Sequence, residues 1–189
     1  MSKRVLERVR EATRDMHEAL ERRLDILSRM ETLEGRKVLA ERFHALHAGA
    51  EAAIASTLQQ LPDLNFEDRR RTVLLAADLQ ALGVAPAPPA AIKRAESTAE
   101  ALGLLYVLEG SSLGGKVIRK QAMARGLDMD GLSFLSPYGE QTGQYWRAFL
   151  DVLDRECPEH DLSSGEAAVR GAKAGFAHAQ MVLCEGLPS

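Results

Sequence analysis

The chain has 189 residues, 46% hydrophobic and 27% charged, with a formal net charge of −3 and a pI near 6.0; this suits one domain over residues 1–189 and excludes bulk nucleic-acid binding, which needs a strongly basic surface. Two cysteines, Cys157 and Cys184, are too few for a disulfide framework and match no zinc spacing, so free thiols in a reducing cytosol are expected. The charged N-terminus lacks the apolar block of a signal peptide, and the apolar stretch 101–108 is too short to span a bilayer, so a cytoplasmic protein without a membrane segment is expected.

Val5, Val9, Ala12, Met16, Leu20, Leu24 and Leu27 recur at steps of three and four, which predicts a first helix with one buried stripe, ended by a break over 28–35. From Arg36 the pattern resumes through Leu39, Phe43, Leu46, Ala50, Ala53, Ile54 and Leu58, until Pro62, Asp63 and Asn65 end it. Residues 67–82 read as a third helix with Val73, Leu74, Ala77 and Ala81 inward and Gly83 closing it. Pro86, Pro88 and Pro89 make 84–91 a stiff loop. The longest helical pattern covers 92–125, and 126–139 is a connector. A helix over 141–156 is stopped by Pro158, and Ser163 or Ser164 is placed to cap a last helix running to about residue 185. No segment alternates apolar and polar residues as a strand would, and no repeat divides the chain. The expected fold is a single-domain, all-α bundle.

Two basic clusters, Arg69–Arg70–Arg71 and Lys116–Arg119–Lys120, read as solvated helix faces. His44 and His47, three apart, have a metal-ligand spacing, but one buried and one exposed residue is the expected arrangement. His160 reads as an exposed loop residue, and His178 as facing a pocket, or the back of its wall, near Phe176.

Two segments carry more information. In LLYVLEGSSLGGK (104–116), Gly110, Gly114 and Gly115 interrupt a helical pattern. Each costs about 1 kcal/mol relative to alanine, so a compensating reason is needed. Either the glycines permit tight helix packing, which composition alone favours, or they allow a kink and let backbone approach a flat group closely. In EATRDMHEALE (11–21), His17 shares a helix face with Thr13, Leu20 and Leu24, and Glu21 lies one turn on. A carboxylate there is placed to orient an imidazole nitrogen.

These two segments together resemble the heme oxygenase family, and more closely its bacterial branch encoded alongside bacteriophytochromes. YGEQTGQYWRAFLDVL and GAKAGFAHAQMVL resemble the same branch, so the likeness runs from about Arg4 to Leu187. The resemblance implies that His17 is the proximal ligand to heme iron, with Glu21 one turn further. It places Gly110, Gly114 and Gly115 on a kinked distal helix over the heme, Arg10 and Arg147 at positions for the propionates, and Tyr106, Lys116 and Phe176 near the pocket. Ser111 stands where the mammalian enzymes carry an aspartate that holds a distal water chain. The implied reaction opens heme b, at once cofactor and substrate, to biliverdin, carbon monoxide and ferrous iron. It would use O2 and an external reductant such as ferredoxin, with the alpha isomer suggested by the phytochrome-linked branch. The implied partners are heme, an electron-donor protein and a bacteriophytochrome receiving biliverdin. Alternatives left open are a heme carrier or sensor that does not turn over, a thiaminase-like hydrolase needing a reactive cysteine, and an interaction module.

Overall fold

The computed structural model describes residues 4–186. Residues 1–3 and 187–189, including Leu187 at the far end of the resemblance, lie outside the described residues. All regular structure among the described residues is helical, as the periodicity predicts. The helices are α1 (Val5–Leu24), α2 (Ile26–Met30), α3 (Leu33–Leu58), α4 (Phe66–Arg69), α5 (Thr72–Ala81), α6 (Thr98–Ala124), α7 (Thr142–Glu156) and α8 (Leu162–Leu183). Two 3-10 turns, Ser133–Leu135 and Gly139–Gln141, interrupt the connector between α6 and α7.

Several boundaries differ from the sequence reading, each for a local reason. The first break falls at Asp25, not over 28–35: Asp25 takes a left-handed conformation (φ 37°) and accepts from the Ser28 hydroxyl at 2.8 Å. Thr32 then accepts from the Gly35 amide at 3.0 Å, and α3 starts at Leu33. The segment 67–82 divides in two, because Arg70 is extended (φ −70°, ψ 135°). That break resets the helical phase, so Leu75, Asp78 and Leu79 face inward while Val73, expected inside, is 82% exposed and Ala77 and Ala81 are exposed. Residues 92–97 are not helical. Ser97 accepts from the Glu100 amide and starts α6 there. The stretch before it lies along α3 through Ala90 N–H to the Ala45 carbonyl (2.9 Å) and Ala95 N–H to the Ala53 carbonyl (3.4 Å). Asp161, rather than either serine, caps α8, accepting from the Ser163 and Ser164 amides.

The core has two parts. One gathers α1, α6, α7 and α8 around Val9, Leu102, Leu105, Phe149 and Leu153; the other gathers α3, α5 and the connector around Leu39, Leu75, Leu79 and Leu132. α6 and α8 form the most extensive helix pair. A Cβ on Gly103 would run into the Ala168 carbonyl, and one on Gly171 into the Glu100 carbonyl, so the two backbones meet with no side chain between them. By length and composition α6 is long and apolar enough to cross a membrane, which the sequence reading did not anticipate. Half of that apolar window is buried inside the bundle, where it forms the central wall.

Candidate functional site

A cavity of about 1070 Å3 opens between the two core clusters. That is just above the roughly 300–1,000 Å3 typical of small-molecule sites. One wall is α1, through Arg10, Thr13, His17, Leu20, Glu21 and Leu24; another is α6, through Tyr106, Gly110, Ser111, Gly114 and Gly115. Phe176 and Ala179 of α8, Phe43 and His47 of α3, Trp146 of α7 and Phe134 of the connector complete the lining.

The α1 periodicity explains the first wall. His17, Thr13, Leu20 and Leu24 share a face, and all four line the cavity. Thr13 donates its hydroxyl to the Val9 carbonyl at 2.7 Å, so it satisfies itself and leaves the wall apolar. His17 stands out from that wall, 54% exposed at its side chain, with Nε2 3.4 Å from Glu21 Oε1. Its ring meets Phe176 edge-on at 5.6 Å and 73°. Gln180 of α8 donates to the Met16 carbonyl at 2.9 Å and anchors this turn of α1.

The α6 wall separates the three glycines that the sequence presented as a group. A Cβ on Gly110 or Gly114 would meet nothing within 4 Å, so both turn bare backbone to the cavity. A Cβ on Gly115 would run into the Leu135 carbonyl, so Gly115 lets the connector pack against the helix. α6 remains helical through all three.

The structure brings Arg10, His17, Glu21, Tyr106, Gly110, Ser111, Gly114, Gly115 and Phe176 to one cavity. Burial raises the Tyr106 hydroxyl pKa, and the Arg10 guanidinium, hydrogen-bonded to it, opposes that rise. Lys116 and Arg147 are not brought in. Each is exposed and falls one residue past a cavity residue, Gly115 and Trp146, which turns it about 100° around its helix. Lys116 pairs with Glu140 at 3.3 Å instead.

The arginine run holds the largest departure from the sequence reading. Arg69 and Arg71 are 4% and 3% exposed, not solvated. Arg69 donates to Glu109 at 2.9 Å, and Arg71 donates to the hydroxyls of Ser111 and Ser112 beside the cavity. Hydrophobic periodicity cannot reveal this. The three arginines occupy the joint between α4 and α5, where no face is defined. The buried Glu109, next to Gly110 in an apolar stretch, was the available signal, since a buried carboxylate needs a partner.

His44 and His47 are both buried, and among the described residues no group of three or more histidine, cysteine or acidic side chains is placed to hold a metal ion. His47 lines the cavity, and its Nδ1 lies 3.1 Å from Glu51 Oε1. Burial lowers the His47 pKa, keeping a neutral ring that donates to Glu51. Burial alone would raise the Glu51 carboxyl. The hydrogen bond from His47, then those from the Thr72 hydroxyl and the Arg71 amide, overcome it and hold Glu51 down at about 2. His178 lies behind the wall, buried, hydrogen-bonded to the Leu46 carbonyl and lowered by burial, with Nε2 lacking a partner. His160 is exposed as expected.

These shifts give a pH prediction with one sign. Depressed histidines are neutral in the fold but protonate near 6.5 once unfolded, so stability is complete above 6.5 and falls as pH drops below it. Glu51 adds a second loss between its ordinary 4.5 and about 2. Melting temperature is expected to fall from pH 7.5 to 5, as the unfolding free energy drops by up to about 1.4 kcal/mol per pH unit for each proton taken up. His178→Gln, which keeps an N–H for Leu46, is expected to flatten that slope; an unchanged slope removes His178 from the account.

Both cysteines are buried. Burial pushes the Cys157 thiol up to about 11, and Cys184 is raised for the same reason. Neither has the depressed pKa and access of a nucleophile, so the hydrolase alternative lacks its reactive group.

Comparison with known proteins bears on the fold and the family. The heme oxygenase family model matches residues 3–185. A heme oxygenase of Xanthomonas campestris pv. campestris is 36% identical over 140 residues, 72% of this chain and 81% of that protein. The heme oxygenase PigA of Pseudomonas aeruginosa is 38% identical over 111 residues, 57% of this chain and 55% of that protein. The fold is that of the heme oxygenase of Neisseria meningitidis (TM-score 0.77, 24% identity, covering 96% of this chain and 91% of that one). It is also that of heme oxygenase-1 of the cyanobacterium Synechocystis, solved in complex with heme (TM-score 0.74, 16% identity, covering 97% and 92%). An all-helical bundle, a large cavity between a histidine-bearing and a glycine-bearing helix, and a family match along nearly the whole sequence converge: the chain belongs to the heme oxygenase family, the enzymes that open heme to biliverdin.

Proposed function

We propose that heme b lies in the cavity between α1 and α6, with His17 as the protein's ligand to its iron, and that the ring is opened at its alpha edge. The observation carrying this reading is that one cavity holds both an outstanding imidazole, His17, and two glycines, Gly110 and Gly114, whose missing side chains leave open space. An apolar cleft of this volume with one imidazole and bare backbone suits a large flat group; bulky side chains on α6 would fill it. When bound, heme supplies the iron that activates oxygen and the ring edge that is oxidised.

The chain's own residues do the rest. Glu21 and Phe176 restrain the His17 ring. Arg10, held by Tyr106, offers a guanidinium to a propionate, a geometry suited to carboxylates. Arg71 places a guanidinium at the glycine wall in the region where the mammalian enzymes use an aspartate, and the Ser111 hydroxyl, which gives its own proton to the Leu108 carbonyl, accepts from it. Electrons come from an external protein such as ferredoxin, since the sequence carries no flavin or nicotinamide fingerprint. The protein acts in the cytoplasm and supplies biliverdin to a bacteriophytochrome.

The test is direct. Purified protein is expected to bind hemin one to one with the Soret band of a histidine-ligated heme, and to form biliverdin with a reduced donor and air. Hemin binding without biliverdin under a competent donor overturns it. Product isomers separate the arginines: Arg10→Ala is expected to change the isomer ratio through loosened heme orientation, and Arg147→Ala to leave it as in wild type. The reverse result would move the propionate contact to α7.

A further inference from the structure

Behind the α6 glycines sits a closed polar cluster of which the reading above uses Arg71 alone. Glu109 is 2% exposed and immediately precedes Gly110. Its Oε2 accepts from Arg69 Nη1 at 2.9 Å. Its Oε1 accepts from the Tyr138 hydroxyl at 2.6 Å, and the same oxygen lies 3.7 Å from Arg71 Nη2. The Tyr138 ring stacks on Tyr145 at 4.0 Å and 7°, and its other neighbour is the Arg71 guanidinium, 5.2 Å from the ring centre. Of these groups Arg71 alone lines the cavity, and it donates to Ser111 and Ser112.

A guanidinium ends a long, flexible side chain, so its reach depends on what competes for it. Here the competition is for one atom. The Tyr138 hydroxyl occupies Glu109 Oε1, the oxygen Arg71 would otherwise approach. Removing that donor leaves a buried carboxylate oxygen short of a partner, which is costly. The nearest cation available to fill the place is Arg71, which would turn from Ser111 toward Glu109 and retreat from the cavity. Burial and the Glu109 charge both raise the Tyr138 pKa, so the hydroxyl stays protonated as the donor this geometry needs.

We propose that Tyr138 and Glu109 are positioning residues that set how far the Arg71 guanidinium reaches into the cavity, and so the positive potential at its glycine wall. This rests on the reading that heme occupies the cavity.

Tyr138→Phe tests it with little disturbance, because the ring remains against Tyr145 and Arg71 and a single hydroxyl is lost. The readout is the C–O stretching frequency of the ferrous carbon monoxide complex, which positive charge near the bound molecule lowers. Arg71→Leu gives the reference for a missing guanidinium and is expected to raise the frequency most. Tyr138→Phe is expected to fall between it and wild type, with a melting temperature close to wild type, since loss of a structural contact alone does not move this band. A Tyr138→Phe band coinciding with wild type while Arg71→Leu shifts overturns the proposal and leaves the heme reading intact. No shift in Arg71→Leu overturns it too, since Arg71 then does not reach the ligand. A wild-type chain that takes up no hemin overturns the functional reading itself.

Discussion

Gly114→Leu is expected to fold and bind hemin yet lose biliverdin formation, while Gly115→Leu is expected to melt well below wild type. The residues are neighbours, and the contrast comes from what a side chain would meet. At Gly114 a Cβ enters open space within the cavity. Replacing a mid-helix glycine by a good helix former there is neutral or gains up to about 1 kcal/mol. On the proposed reading the leucine would then stand against the heme face, and a displacement of about 1 Å in a reacting group costs on the order of 100-fold in rate. At Gly115 a Cβ collides with the Leu135 carbonyl, backbone held in place by Asp78, which accepts from the Ser133 and Phe134 amides at 3.1 and 3.0 Å. Overpacking of that kind costs about 1–3 kcal/mol or more, and each kcal/mol lowers the melting temperature by about 2–4 °C in a chain of this size. Melting curves and biliverdin yield per heme, taken side by side, check both variants. A Gly114→Leu protein that melts low but turns over normally would make both glycines packing residues.

His17→Ala is expected to abolish the iron–imidazole bond with almost no loss of stability. His17 is more than half exposed, and its contacts are Glu21 at 3.4 Å and the edge of Phe176. Surface substitutions of this kind stay within about 0.5 kcal/mol. Turnover is expected to fall further than the roughly 10–100-fold that follows loss of an outer partner of a metal ligand, the range expected for Glu21→Gln. Added imidazole is expected to restore the histidine-type spectrum of His17→Ala, because the cavity remains open. If the iron–histidine vibration persists in the variant, another side chain is the ligand, and His47 is the histidine that also lines the cavity.

The helical class, the order of the helices and the α1 wall were legible in the sequence because they depend on spacing along one helix. Steps of three and four placed Thr13, His17, Leu20 and Leu24 on one face, and one cavity receives them all. The division of the glycines was not legible. Gly114 and Gly115 are equally poor helix formers, and what distinguishes them is the carbonyl of Leu135, some twenty residues away in the chain. Likewise Lys116 and Arg147 belong to segments that resemble the family, but the turn of a helix by one residue places both outside the cavity.

The sequence by itself determined an all-helical chain with an imidazole on one amphipathic helix and a glycine-rich apolar helix elsewhere, because residue spacing and propensity act locally. Only the tertiary structure decided the fate of the charges. Arg69 and Arg71 read as solvated in a linear pattern, yet both are buried, and so are the carboxylates Glu51 and Glu109. A charge leaves water when partners from distant segments surround it: Arg69 and Arg71 lie 40 and 38 residues from Glu109, and Tyr138 reaches the same carboxylate from the far side of α6 in sequence. No spacing rule encodes such a meeting, since the pairing energy exists only once the bundle has closed.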